Sequence, residues 1–307
     1  MKLGLQVGSF TWPGGPAAIG PTLARIAVTA EAAGFDSLWV MDHFLQIRAY
    51  GEPDEPMLEG LTTLGWLAAQ TERIRLGLLV GGVHYRRPGL WLKAVTTLDV
   101  LSGGRAWFGI GAAWNEEESR ALGFPMPPLA ERFELLEDTL RMVHAGWTGP
   151  AGTRAPVTGR HLDAADVLNV PQALGRPHPP ILVGGGGEQR TLRLVAQYAD
   201  ACNVFGSPDQ LRHKYAVLRR HCADVGRDPA TIERTNLAAP IALTADGSGG
   251  SLTTGALLDR LGAWAEAGSQ HAILSLRDVH DVAVLERIGR DVVPQIRGLG
   301  TQSPLGA

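Results

Sequence analysis

Residues 181–205 read ILVGGGGEQRTLRLVAQYADACNVF. A short apolar run (Ile181, Leu182, Val183) reaches four consecutive glycines, and a helical pattern follows at once, with Leu192, Val195, Ala196 and Ala199 at helical spacing. Residues 201–205 then read as the next strand. This is the strand, turn, helix and strand of a parallel βα unit. A Gly-rich turn of this kind lets the backbone reverse through positive φ. It also leaves free N–H groups and the positive end of a helix dipole facing an anion. Four adjacent glycines exceed what a turn needs, and each costs backbone entropy on folding, so a phosphate-bearing ligand is expected at Gly184, Gly185, Gly186 and Gly187. The pattern is neither the dinucleotide fingerprint, which needs GxGxxG with an acid after the next strand, nor a P-loop, because no GK[ST] follows.

The same rhythm runs outward in both directions. Apolar runs at residues 3–9, 37–41, 75–80, 106–110, 181–183, 201–205, 237–243 and 271–275 alternate with helical patterns starting near Gly20, Gly60, Pro88, Pro128, Glu188, Pro208, Ser251 and Val279. Pro21, Pro88, Pro128 and Pro208 suit helix first turns, where a missing N–H costs nothing. Eight alternations with no adjacent strands predict an α/β fold, the (β/α)8 TIM barrel, with an open doubly wound sheet as the alternative. One domain over 1–307 is expected, with an insertion at about 149–179 that is rich in Gly, Pro and Arg. The insertion is expected to cover the barrel mouth, with a small hairpin at residues 160–162. Residues 49–60, carrying Glu52, Asp54, Glu55 and Glu59, form an acidic loop after the second strand.

Composition removes several function classes. A net charge of −3 over 307 residues provides no global field for nucleic acid or an anionic membrane. No apolar run reaches membrane-spanning length. The N-terminus enters a strand pattern directly, so no signal peptide is expected, and two cysteines make no disulfide framework; cytoplasmic residence is the expectation. The nine histidines show no HxxxH or HEXXH spacing, so no metal is expected, and there is no GxSxG elbow.

In a barrel of this class the site forms at the C-terminal ends of the strands. Those ends carry SFTWPG (9–14), MDHF (41–44), LVGGVHY (79–85), GIGAAWNEEE (109–118) and the four glycines. His43 is the candidate for proton transfer near neutral pH, with Asp42 near enough to orient it, although the same pair could merely cap the barrel through hydrogen bonds. Glu116, Glu117 and Glu118 sit at a helix start, where acids favour the dipole. Asn115 suits either a cap or a ligand. Trp12 and Trp114 could stack on a ring or close the barrel, and Gly81 and Gly82 allow close backbone approach to such a ring. His84 and His271 read as loop or packing histidines.

At these residues the chain resembles the luciferase-like monooxygenase superfamily, and most closely its actinobacterial branch of probable F420-dependent oxidoreductases. The matching blocks are FTWPGGPAAIGPTLARIA, GFDSLWVMDHF, PMLEGLTTLGWLA, RIRLGLLVGGVHYRRPG, TTLDVLSGGRAWFGIGAAWNEEESRALG, RPHPPILVGGGGEQRTLRLVAQYADACN and VLRRHCADVGRD, running in family order to about Arg227. The resemblance implies a (β/α)8 barrel holding F420, or alternatively FMN, at its mouth. The ring would lie against Leu79, Val80 and Gly81, where relatives carry a non-proline cis peptide. The phosphate would sit on residues 184–187 with Thr191 as a hydroxyl donor. Ala113 and Asn115 would contact the cofactor, Asn115 near its polar tail. Asp42 and His43 match the pair that ends the second strand in F420-dependent relatives, where the histidine assists proton transfer.

Two departures bear on the substrate. F420-dependent dehydrogenases of sugar phosphates carry a tryptophan shortly after the histidine and an acid after the fourth strand. The corresponding places here hold Ile47 and Ala112 or Ala113, which argues against a sugar phosphate handled by that mechanism. The expectation is hydride transfer between F420 and a small-molecule substrate in a pocket lined by Trp12, His43 and the insertion. Arg86, Arg87 and Arg190 would make the mouth mildly basic for an anionic tail. The alternatives are an FMN-dependent monooxygenase fed by a separate reductase, or a non-catalytic cofactor-binding protein. A homodimer is expected because relatives are commonly dimers.

Overall fold

The computed structural model describes residues 1–299. Eight strands form the barrel: β1 (Lys2–Val7), β2 (Ser37–Val40), β3 (Arg75–Leu78), β4 (Ala106–Gly111), β5 (Ile181–Gly184), β6 (Ala201–Val204), β7 (Glu233–Leu237) and β8 (His271–Ser275). Every neighbouring pair is parallel. The ring closes because β1 pairs with β8 as well as β2, and β4 pairs with β3 through Leu76–Ala106 and Gly77–Trp107 as well as with β5. The sheet is therefore a closed (β/α)8 barrel. Helices cover its outside and bury their apolar stripes in one large core. A second, small cluster (Trp39, Leu79, Trp107, Leu182, Ala201 and Ile273) is built from the strands and the loop after β3 alone, and fills the barrel interior beneath the mouth.

Most predicted strands lie within one or two residues of the observed ones. The seventh does not. The apolar run 237–243 suggests the strand there, whereas β7 spans Glu233–Leu237. Pro240 has no N–H for a ladder, and Ile241 and Leu243 make only isolated bridges. The polar residues Arg234, Thr235 and Asn236 are buried instead. Arg234 Nε donates to the Gly268 carbonyl at 2.7 Å and Asn203 Nδ2 to Thr235 Oγ1 at 2.8 Å, so the Arg234 and Thr235 side chains find partners inside the fold. The first helix also starts earlier than expected, at Pro16, which leaves Pro21 in its interior.

The segment 149–179 contains an antiparallel hairpin, Ala155–Thr158 with Asp163–Val167. It does not cover the mouth as expected. Asp138, on the helix Leu129–Trp147, accepts the N–H groups of Arg160 and His161, and Asp99, on the helix Pro88–Leu101, accepts those of Leu174 and Gly175. The segment is thereby held on the outer helical layer. Both cysteines are buried and free.

Candidate active site

The C-terminal ends of the strands enclose a cavity of about 870 Å³. All the residues expected to bind or react meet there: Asp42, His43, Leu79, Val80, Gly81, Ala113, Asn115, the four glycines 184–187 and Thr191. They come from four different strand ends. Trp114 also lines the cavity, 63% exposed at its rim, with its ring 5.4 Å from that of His43. Trp12 does not line it, because its side chain packs edge-on against Phe10 and is buried.

His43 is oriented by Glu118, one of the three acids whose place in a helix first turn suits the dipole. Its Nδ1 lies 2.8 Å from Glu118 Oε2. Glu118 is 1% exposed and also accepts the Tyr85 hydroxyl at 2.6 Å, the Leu45 N–H at 2.8 Å and the Phe44 N–H. Burial pushes its carboxyl up, but these donors, His43 and Tyr85 first among them, outweigh burial and hold it below the usual glutamate range. An ionised Glu118 accepts a proton-bearing Nδ1, which leaves Nε2 as the atom free to exchange a proton. Among the described residues, Nε2 has no protein partner. Asn115 caps this helix, its Oδ1 accepting the Glu118 N–H at 3.2 Å, which fixes Glu118 in the first turn.

Asp42 therefore does not orient His43, although it stands next to it in sequence. Adjacent residues leaving a strand point to opposite sides. Asp42 turns to Arg86, which donates to its two oxygens at 2.7 and 2.8 Å and also to Glu59. The guanidinium lies over the Trp91 ring at 4.5 Å. Burial opposes the charge on Arg86, and the two carboxylates more than offset it, holding its pKa above the ordinary value. Arg86 is thus committed to the protein rather than free to make the mouth basic. Arg87 precedes its helix on the outside, and Arg190 stacks over Phe133, which lines the cavity.

Beside Asp42 runs the segment 79–82. The Leu79–Val80 peptide is cis. Gly82 N–H donates to Asp42 Oδ2 at 3.0 Å, and Gly81 and Gly82 rejoin the ladder beside Ile110 and Gly111. A Cβ on Gly184 would come within 2.8 Å of the Val80 side chain, so the first glycine of the run is bare because Val80 lies against it. Gly185 has φ +126°, a region open to glycine but strained for other residues. Gly186 is different: its φ is not positive, and a Cβ would reach nothing nearer than Lys214 Cε at 3.7 Å. No protein atom requires a glycine there. Among the described residues, the N–H groups of Gly186 and Gly187 have no protein acceptor. This bare, unpaired backbone beside Thr191 suits an anion.

On the far side of His43, Ala113 takes φ +61° and is held by Arg132, whose Nη1 donates to its carbonyl at 2.8 Å. His84 is buried, and burial, with the charge of Arg132, pushes its pKa down to about 4. It pairs with Ser119 at 2.9 Å, the packing role expected for it. Among the described residues no cluster of His, Cys, Asp and Glu has the makings of a metal site, and no helix is long and apolar enough to cross a membrane.

The family described as "Luciferase-like monooxygenase" matches residues 1–247. An F420-dependent glucose-6-phosphate dehydrogenase of Kineococcus radiotolerans is 33% identical over 54% of this chain and 47% of its own length, so the chain spans about half of that curated relative. Among solved structures, an F420-dependent secondary alcohol dehydrogenase in complex with an F420–acetone adduct superposes with a TM-score of 0.79 at 16% identity, over 96% of this chain and 99% of that one. The EDTA monooxygenase of Chelativorans sp. BNC1 has a TM-score of 0.79 at 17% identity, over 100% and 96%. At such identities the structural likeness shows the fold.

Proposed function

The chain belongs to the luciferase-like monooxygenase family, and from that membership we propose that it is an F420-dependent oxidoreductase moving a hydride between the deazaflavin and a small organic substrate. The relative named for F420 supports the cofactor. The observation that carries the reading is that one cavity joins a bare glycine cradle, the segment 79–82 and a carboxylate-held histidine. The cradle fits a phosphate: the N–H groups of Gly186 and Gly187 are unpaired, and Thr191 adds a hydroxyl at its edge. Leu79, Val80 and Gly81 line the same cavity and would support a ring.

When bound, F420 supplies two-electron hydride chemistry at a ring carbon. The chain's own residues supply position and one proton. His43 gives or takes that proton at Nε2, and Glu118 holds the tautomer that makes Nε2 available. The wall beside His43 is largely apolar, with Ile47, Trp114, Phe133 and Trp264, and Arg260 is the one Lys or Arg among the described lining residues. This wall favours a small organic substrate with a largely apolar body, and the alanines at 112 and 113 remain an argument against the sugar-phosphate mechanism.

The test is to titrate the apo-protein with F420 and with FMN, following cofactor fluorescence. Saturable quenching of F420 at micromolar protein supports the reading. Tight FMN binding with no F420 binding overturns it in favour of a flavin monooxygenase served by a reductase.

A further inference from the structure

Tyr50 belongs to the acidic loop after β2, yet its side chain runs back across the barrel. Its ring occupies the space beside Gly8, where a Cβ would stand 2.3 Å from a ring carbon. Its hydroxyl donates to Gln6 Oε1 at 2.7 Å and lies 2.7 Å from Ser275 Oγ. One hydroxyl carries one proton, so Ser275 must be the donor in the second contact. Gln6, 2% exposed, then donates from Nε2 to the Leu79 carbonyl at 3.2 Å. The chain of hydrogen bonds is Ser275 to Tyr50 to Gln6 to Leu79, with every donor direction determined. Burial raises the Tyr50 phenol, which keeps it a donor at ordinary pH. At its other end the segment is held by Gly82 N–H on Asp42.

We propose that Tyr50 and Gln6 are positioning residues that fix the Leu79 carbonyl, and with it the ring support of residues 79–81, from beneath. The inference rests on the reading that a cofactor ring lies against that segment. It gives the loop 49–60 a task in the site: the loop delivers a hydroxyl that locks a buried amide, and the amide holds a backbone carbonyl. Buried polar groups linked this way lose a whole set of bonds when one member is removed.

The experiment is a double-mutant cycle read by cofactor affinity and by the absorbance of the bound cofactor. Tyr50→Phe keeps the ring beside Gly8 and removes only the hydroxyl; it should weaken F420 binding roughly threefold to tenfold and shift the bound absorbance band. Gln6→Met, which cannot donate to Leu79, should do the same. The double variant should be no worse than Gln6→Met alone, because Tyr50 acts through Gln6. Ser275 does not line the cavity, so Ser275→Ala should produce a smaller effect in the same direction, and this holds the test open if Gln6→Met folds poorly. Additive losses, with Ser275→Ala silent, would mean that Tyr50 touches the ligand directly and would overturn the relay alone. Unaltered affinity and spectrum in Tyr50→Phe would also overturn it. Failure of the unaltered protein to bind either F420 or FMN overturns the relay together with the reading beneath it.

Discussion

Glu118 Oε2 stands 2.8 Å from His43 Nδ1, across 75 residues of sequence, while the neighbouring Asp42 is engaged by Arg86. The two carboxylates therefore have separable tasks. Glu118→Gln should lower hydride-transfer turnover roughly tenfold to a hundredfold while leaving cofactor binding near normal. In 15N NMR of the imidazole, the unaltered protein should show the proton on Nδ1, and Glu118→Gln should mix the tautomers. Asp42→Asn should leave the tautomer intact but cost stability, of order 3 kcal/mol, because it breaks a buried ion pair. A tautomer that responds to Asp42→Asn and ignores Glu118→Gln would return Asp42 to the role expected from sequence.

The glycine run separates packing from ligand binding. Gly184→Ala pushes a methyl into Val80 and should destabilise the fold by about 1–3 kcal/mol. Gly186→Ala meets no protein atom closer than 3.7 Å, so its thermal midpoint should stay close to that of the unaltered protein. If phosphate rests on this backbone, Gly186→Ala should nevertheless weaken F420 at least tenfold. Unchanged binding would move the phosphate elsewhere.

Acidification should weaken the fold through His84. Its folded pKa of about 4 lies below its ordinary value of 6.5, so the unfolded chain takes up the proton more readily. The stabilisation from neutral His84 is full above pH 6.5 and is lost as pH falls toward 4, by up to about 3 kcal/mol. Denaturant melts of the protein and of His84→Gln should therefore converge as the pH is lowered through that window. Parallel pH profiles would show that His84 titrates alike in both states.

The barrel is legible in the sequence because its strands are short apolar runs set between helix signals. β7 escapes that pattern, since its buried Arg234 and Thr235 side chains find their partners in the turn before β8 and on β6. The glycines, His43 and the segment 79–81 are equally legible, being local signals at strand ends. Glu118 is not, because an acid in a helix first turn has a sufficient local explanation in the dipole, and its four donors come from distant segments. The signal available was that the helix has three acids where one suffices, followed by the small residue Ser119 that lets this face turn inward. The pairing of Asp42 with His43 illustrates the converse error: sequence adjacency at a strand end separates side chains rather than joining them. The segment 149–179 stands out by its Gly, Pro and Arg content, but the side of the barrel it packs on depends on Asp99 and Asp138.

The most direct measurement is a crystal structure of the protein grown with F420. The phosphate should lie within hydrogen-bond distance of the Gly186 and Gly187 N–H groups, the ring on Leu79, Val80 and Gly81, and His43 Nε2 should face the space above the ring. A ring bound away from residues 79–81, or a phosphate that leaves those two N–H groups unpaired, would contradict this placement.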